Sequence, residues 1–153
     1  MTAPDPTAGP HLTAGPGRGS LGPARTVARF VLGAFLTFAG LSHLTWGREE
    51  FRAQVPSWVP VDEDLVVLGS GVVEIGLGAS LILASRRLPL VGWLVAAFFV
   101  AIFPGNIGQY VEGVDAFGLD SDRARLIRLF FQPVLVVWAL VSTGAWPRRR
   151  PGT

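Results

Sequence analysis

Four long apolar runs alternate with short polar stretches along the chain. The first is TVARFVLGAFLTFAGLSHLTW, 26–46, and the second covers 65–85 around VVLGSGVVEIGLGASLILA. The third is LPLVGWLVAAFFVAIFPGNIGQ, 88–109, and the fourth RARLIRLFFQPVLVVWALVSTGAW, 123–146. Each is about twenty residues, the length that crosses a ~30 Å hydrocarbon core at ~1.5 Å per helical residue. A helix buried in a water-soluble bundle would carry a continuous polar stripe, and none of the four has one. The pattern predicts an all-α fold, an integral membrane four-helix bundle occupying 25–147.

The flanks differ in kind. Residues 1–24 hold five prolines and five glycines and bury too little apolar area to order themselves. They read as a disordered tail; with no hydrophobic run near the start, a cleavable secretion signal is not expected. Residues 148–153 form a short basic tail. Eight arginines (18, 25, 29, 86, 87, 148, 149 and 150) fall on one side of the spans. The other side has five, Arg48, Arg52, Arg123, Arg125 and Arg128, beside nine acidic residues in the loops between Glu49 and Asp122. The positive-inside bias places both termini in the cytoplasm and the chain in the cell membrane. Trp46 and Trp146 then stand at opposite interfaces. The short Ser85-Arg86-Arg87 connection makes the second and third spans antiparallel neighbours, while FRAQVPSWVP, 51–60, is either a partial lid along the outer interface or a plain loop.

Composition narrows the chemistry. Only 16% of residues are charged, against ~25% in soluble domains. The thirteen basic residues are all arginine at segment ends, a distribution of topology and not of a nucleic-acid patch. With no cysteine, the chain holds no disulfide, thiol relay or thiolate metal site. His11 lies in the tail, so a bis-histidine haem within the bundle is also not expected. No metal site, covalent cofactor or catalytic constellation is assigned, and redox chemistry would belong to a bound molecule or a partner.

One carboxylate interrupts the second run. An ionised Glu74 near a bilayer centre costs at least a few kcal/mol unless paired or protonated. A helical wheel puts Gly71, Glu74, Gly78, Leu81 and Ser85 on one side and Gly69, Gly76 and Ser80 opposite. Small residues on both sides imply a central helix with Glu74 facing the bundle. His43 lies one turn from the outer end of the first span. In FPGNI, 103–107, Pro104 cannot donate to the Val100 carbonyl, so the third span is expected to break there, with Asn106 beside the freed groups. Arg125, Arg128 and Gln132 share a face of the fourth span. These residues all fall in the outer half, the pattern of a pocket closed on the cytoplasmic side. Each also has a purely structural reading: His43 at the interface, Asn106 as a cap, Arg128 snorkelling, Glu74–Arg128 as a register-fixing ion pair.

In order and spacing, AGLSH, VPSWVP, GSGVVEIGLG, FPGNI and RLFFQ resemble the DoxX family of small four-helix membrane proteins, over 27–146. The departures are Leu44 where an aromatic is common, Gly105 where alanine is common, and Phe130-Phe131 before Gln132. The resemblance carries the family's polar positions onto His43, Glu74, Asn106, Arg128 and Gln132 as ligand-binding residues. It implies an accessory or quinone-linked subunit of a membrane redox system, more a subunit than a self-contained enzyme, with quinone as the ligand and a redox protein as partner. In that reading His43 hydrogen-bonds or shuttles a proton to the ligand and Arg128 holds Glu74 charged. Two other readings stay open: a module that binds or transports a small lipophilic molecule without redox chemistry, and a structural membrane partner.

Overall fold

The structure, a computed structural model, describes residues 21–84 and 86–146. Within them the chain is all helical: α1 Pro23–Leu44, α2 Arg48–Arg52, α3 Glu63–Leu83, α4 Leu88–Glu112 and α5 Asp122–Ser142. Four of these, all but α2, are long and apolar enough to cross a membrane. Their starts follow from local chemistry. Pro23 sits in the first turn of α1, where its missing N–H is not needed. The helix therefore begins inside the stretch expected as tail; residues 1–20 of that tail, Ser85 and the basic 148–153 segment lie outside the described residues. Asp62 caps α3 by accepting from the Asp64 and Leu65 amides at 2.9 and 3.2 Å, and Ser121 caps α5.

The third span does not break. α4 runs through Pro104 to Glu112 and stops only at Gly113, in the left-handed conformation at φ 66°. Proline removes one bond from a 25-residue helix, and packing along α5 holds both sides of that gap in line. Gly105 serves another purpose: a Cβ there would lie 3.2 Å from the Gln54 carbonyl, so glycine admits the loop backbone.

Helix pairing also differs from the expected arrangement. α3 packs on α1 and α4 on α5 along most of their length, and the two pairs meet more sparsely. Two reciprocal glycine contacts set the α1–α3 approach and make it antiparallel. A Cβ on Gly33 would stand 2.9 Å from the Gly78 carbonyl and one on Gly78 2.6 Å from that of Gly33. Gly40 and Gly71 repeat this at 2.5 and 2.9 Å. The buried face of α3 is Val67, Gly71, Glu74, Gly78 and Leu81, as the wheel placed it. The opposite face is open: a Cβ on Gly69 or Gly76 meets nothing within 4 Å. α3 is one member of a tight pair and not a central helix, because its partner glycines come from one side only.

Leu32, Leu36, Leu81, Val95, Phe99, Ala139 and Leu140 form the core where the pairs meet. Large apolar side chains face outward on all four long helices, among them Phe38, Leu65, Trp93 and Phe130. Trp46 and Trp146 are exposed at opposite ends. At the end holding the α3–α4 turn, Arg29 is buried and donates to the Ala84 carbonyl at 2.8 Å, closing the C-terminus of α3. That half therefore has its own buried cation, where only topological arginines were expected.

Candidate functional site

Between the two pairs, at the end capped by α2, lies a cavity of about 710 Å³. Its walls are predominantly apolar, and all five expected ligand-binding residues, His43, Glu74, Asn106, Arg128 and Gln132, line it. Their pairing is not the expected one. Glu74 does not meet Arg128: its Oε2 lies 2.9 Å from His43 Nδ1, with both side chains buried. The glycine contact between Gly40 and Gly71 is the cause. It brings α1 so near α3 that His43, one turn beyond Gly40, supplies the first basic side chain in reach of Glu74, whereas Arg128 approaches from the other pair.

The histidine ring is oriented from two sides. Nδ1 is 3.0 Å from the Ala39 carbonyl as well as near Glu74. Two acceptors facing one ring nitrogen place a proton on Nδ1. That proton points at Ala39, so Glu74 Oε2 lies against the ring yet keeps no hydrogen bond of its own. Phe51 stacks on the imidazole, centroids 3.4 Å apart. The remaining nitrogen, Nε2, has no hydrogen-bond partner among the described residues.

Asn106 and Gln109 stand one turn apart on α4, Arg128 and Gln132 one turn apart on α5. They join as a two-rung polar ladder. Asn106 Nδ2 donates to Gln132 Oε1 at 2.9 Å, and Arg128 Nη1 donates to Gln109 Oε1 at 2.9 Å. Gln132 Nε2 donates on to the Phe99 carbonyl at 2.6 Å, one residue before the carbonyl that Pro104 leaves free. Arg128 Nη2 donates to Gln54 Oε1 at 2.8 Å, and Gln54 Nε2 is buried without a partner. Arg125, on the same face, belongs elsewhere: it pairs with Asp115 and Asp122 at the helix mouth, at 2.6 and 2.9 Å.

The 51–60 segment is a lid and not a plain loop. Phe51, Gln54, Val55, Pro56, Trp58 and Val59 all line the cavity. Arg48 anchors it with a two-point contact to Asp64, 3.0 and 2.9 Å. From the opposite pair the α4–α5 loop brings Phe117, held at φ 56°, a left-handed conformation that a bulky residue rarely takes. Its amide donates to Glu50 Oε2 at 2.6 Å, and its ring meets Phe51 at 4.6 Å and Arg128 at 5.6 Å. Sideways the cavity is less closed. Phe35, Phe38 and Phe131 line it and are also 51%, 62% and 58% exposed, so it reaches the surface between α1 and α5.

Sequence reasoning missed Gln54, Gln109 and Phe117, and had Phe51 only as part of the possible 51–60 lid and not as a ring stacked on His43. Gln109 had a signal, its one-turn spacing from Asn106 matching that of Arg128 and Gln132. The other three sit in connections, where no periodicity marks an inward side chain. No group of three or more His, Asp or Glu able to hold a metal occurs among the described residues.

Neither a curated protein nor a solved structure matches the chain. The model of one family, described as a domain of unknown function, DUF8561, matches residues 32–143. That match takes in α3, α4, the lid and all five site residues, and on it the chain belongs to the DUF8561 family.

Proposed function

We propose that this protein is a multi-pass protein of the cytoplasmic membrane, of DoxX type, that binds a small lipophilic molecule in the cavity under its lid. Its role is that of an accessory or quinone-linked subunit of a membrane redox system, with a redox protein as partner. Both termini lie in the cytoplasm, on the strength of the arginine distribution, and the lid then faces outward. The observation that carries the reading is the cavity itself. It has apolar walls, and unclaimed hydrogen-bonding atoms at Glu74 Oε2 and Gln54 Nε2 beside a histidine with a free ring nitrogen. Its volume lies within the ~300–1,000 Å³ of small-molecule sites. A purely structural polar cluster would satisfy its own members, and this one does so only along the α4–α5 ladder.

The test is mass spectrometry of what purifies with the protein in mild detergent, wild type beside Ala39→Phe, which fills the cavity from α1. A quinone or other lipophile present at near one equivalent in wild type and lost in the variant supports the reading. Identical extracts from both proteins refute it. A second reading, binding or transport of an amphiphile without a redox step, is favoured by Arg128, whose hydrogen bonds among the described residues go to neutral amide oxygens.

A further inference from the structure

The charges in the cavity do not pair at contact distance. Arg128 gives its two Nη donors to Gln109 and Gln54, both neutral, and has no carboxylate within 4.0 Å among the described residues. Charge held in an apolar site by neutral dipoles alone favours the arrival of a counter-ion. A second donor waits beside it. Arginine can only donate, so the Gln54 oxygen must face Arg128 and its Nε2 points away; that Nε2 is buried and unpartnered. At the other side of the cavity Glu74 Oε2 lacks a hydrogen bond, and His43, which bonds through Nδ1, has no partner at Nε2 among the described residues.

From these groups we infer that the ligand is a single-chain lipophilic carboxylic acid, bound as its carboxylate on Arg128 and Gln54 Nε2, its chain along Phe35, Leu36 and Leu135. The inference rests on the reading of the cavity as a ligand site. The acid reaches the site uncharged from an apolar phase. Its O–H bond breaks with the electron pair left on oxygen, and the proton forms an N–H bond at His43 Nε2. The imidazolium then lies against Glu74, and the carboxylate against Arg128. Net charge in the cavity is unchanged, yet each ion now has a partner in contact. His43, Glu74 and Arg128 are the titratable side chains lining the cavity; Glu74 is the one competing acceptor among them, and uptake that survives His43→Asn would assign the proton to Glu74 instead. A two-chain phospholipid does not fit the volume, and an alcohol or amine of the same length leaves Arg128 as it was.

The experiment is isothermal titration of the full chain in phosphatidylcholine nanodiscs against dodecanoate, dodecanol and a decyl-quinone, each corrected with empty nanodiscs. Dodecanoate should bind at least about tenfold more tightly than dodecanol, since charge-assisted bonds are roughly twice as strong as neutral ones. Arg128→Gln should abolish that preference while dodecanol still binds, which shows the cavity intact; Arg128→Lys should retain part of it. Titration in two buffers of different ionisation heat should give about one proton taken up per dodecanoate in wild type, by the stoichiometry above, and none in His43→Asn. Equal binding of dodecanol, or a preference that survives Arg128→Gln, overturns the acid. Binding without proton uptake overturns the part given to His43. Binding of the quinone alone leaves the cavity reading standing and removes the acid, whereas silence from all three ligands removes the cavity reading itself.

Discussion

Alanine at Gly40 tests how the site is built. Its Cβ would stand 2.5 Å from the Gly71 carbonyl, 2.9 Å from Ile75 Cγ1 and 3.0 Å from Glu74 Cβ. Two of these are backbone or near-backbone atoms that cannot swing away, so α1 and α3 must part by about 1 Å to reach ordinary contact distance. Overpacking of this kind costs about 1–3 kcal/mol. Replacing glycine by alanine inside a helix returns about 1 kcal/mol. Gly76→Ala on α3 isolates the packing part, because its Cβ meets nothing within 4 Å and it gains the same helical term. The two variants should therefore differ by about 1–3 kcal/mol in thermal or denaturant unfolding in detergent, Gly76→Ala at or above wild type. Ligand binding should fall further in Gly40→Ala than stability does. A shift of about 1 Å lifts His43 Nδ1 away from its 2.9 Å contact with Glu74 Oε2. Equal stability and equal binding in the two alanine variants would refute the view that glycine contact positions the dyad.

Glu74→Gln should keep the fold but lose about 1–3 kcal/mol, since it removes the charge against which His43 is set; adding His43→Asn should restore most of the stability and none of the binding. Double-variant unfolding beside co-purification measures both. Phe51→Ala should speed labelling of a single cysteine placed at Ser42, buried next to His43, and more so than Trp58→Ala, because Trp58 is already 67% exposed; unchanged labelling would reduce the lid to a connection. Reporter fusions at Thr153 and near Gly118 should report opposite compartments, and a periplasmic C-terminus would overturn the arginine count. Glu50→Gln should loosen the α4–α5 loop, seen as faster amide exchange at Phe117 with little change in melting temperature, because the hydrogen bond it weakens is exposed to solvent.

The spans and the membership of the site were legible in the sequence for one reason. Twenty apolar residues admit few polar interruptions, and each interruption must face protein. His43, Glu74, Asn106, Arg128 and Gln132 therefore declared themselves and do share one cavity. Who pairs with whom was not legible. That depends on which helices lie side by side, and Gly33 and Gly40 looked like ordinary small residues until Gly78 and Gly71 were found opposite them. The same ambiguity misled at Pro104. Its missing N–H is certain from the sequence, but whether a helix breaks or passes through depends on the neighbour packed across the gap. A lid was one of two readings open for 51–60, and the choice between them was not legible for a further reason: in a connection, a phenylalanine that stacks on a histidine and one that anchors in lipid have identical local sequence.

The cavity's opening between α1 and α5 has a consequence for how selectivity would be felt. With the bundle in a bilayer, Phe35, Phe38 and Phe131 face the lipid, and the lid faces water. A lipophilic ligand of the kind proposed would then enter from a solvent in which it is already dissolved. Its concentration at the doorway is set by partitioning, which rises roughly fourfold for each added methylene at ~0.8 kcal/mol. Across a homologous series, dissociation constants referred to water should fall steeply with chain length. The same constants expressed as mole fraction in lipid should stay nearly level, leaving the head group as the only part of the molecule that the protein itself discriminates.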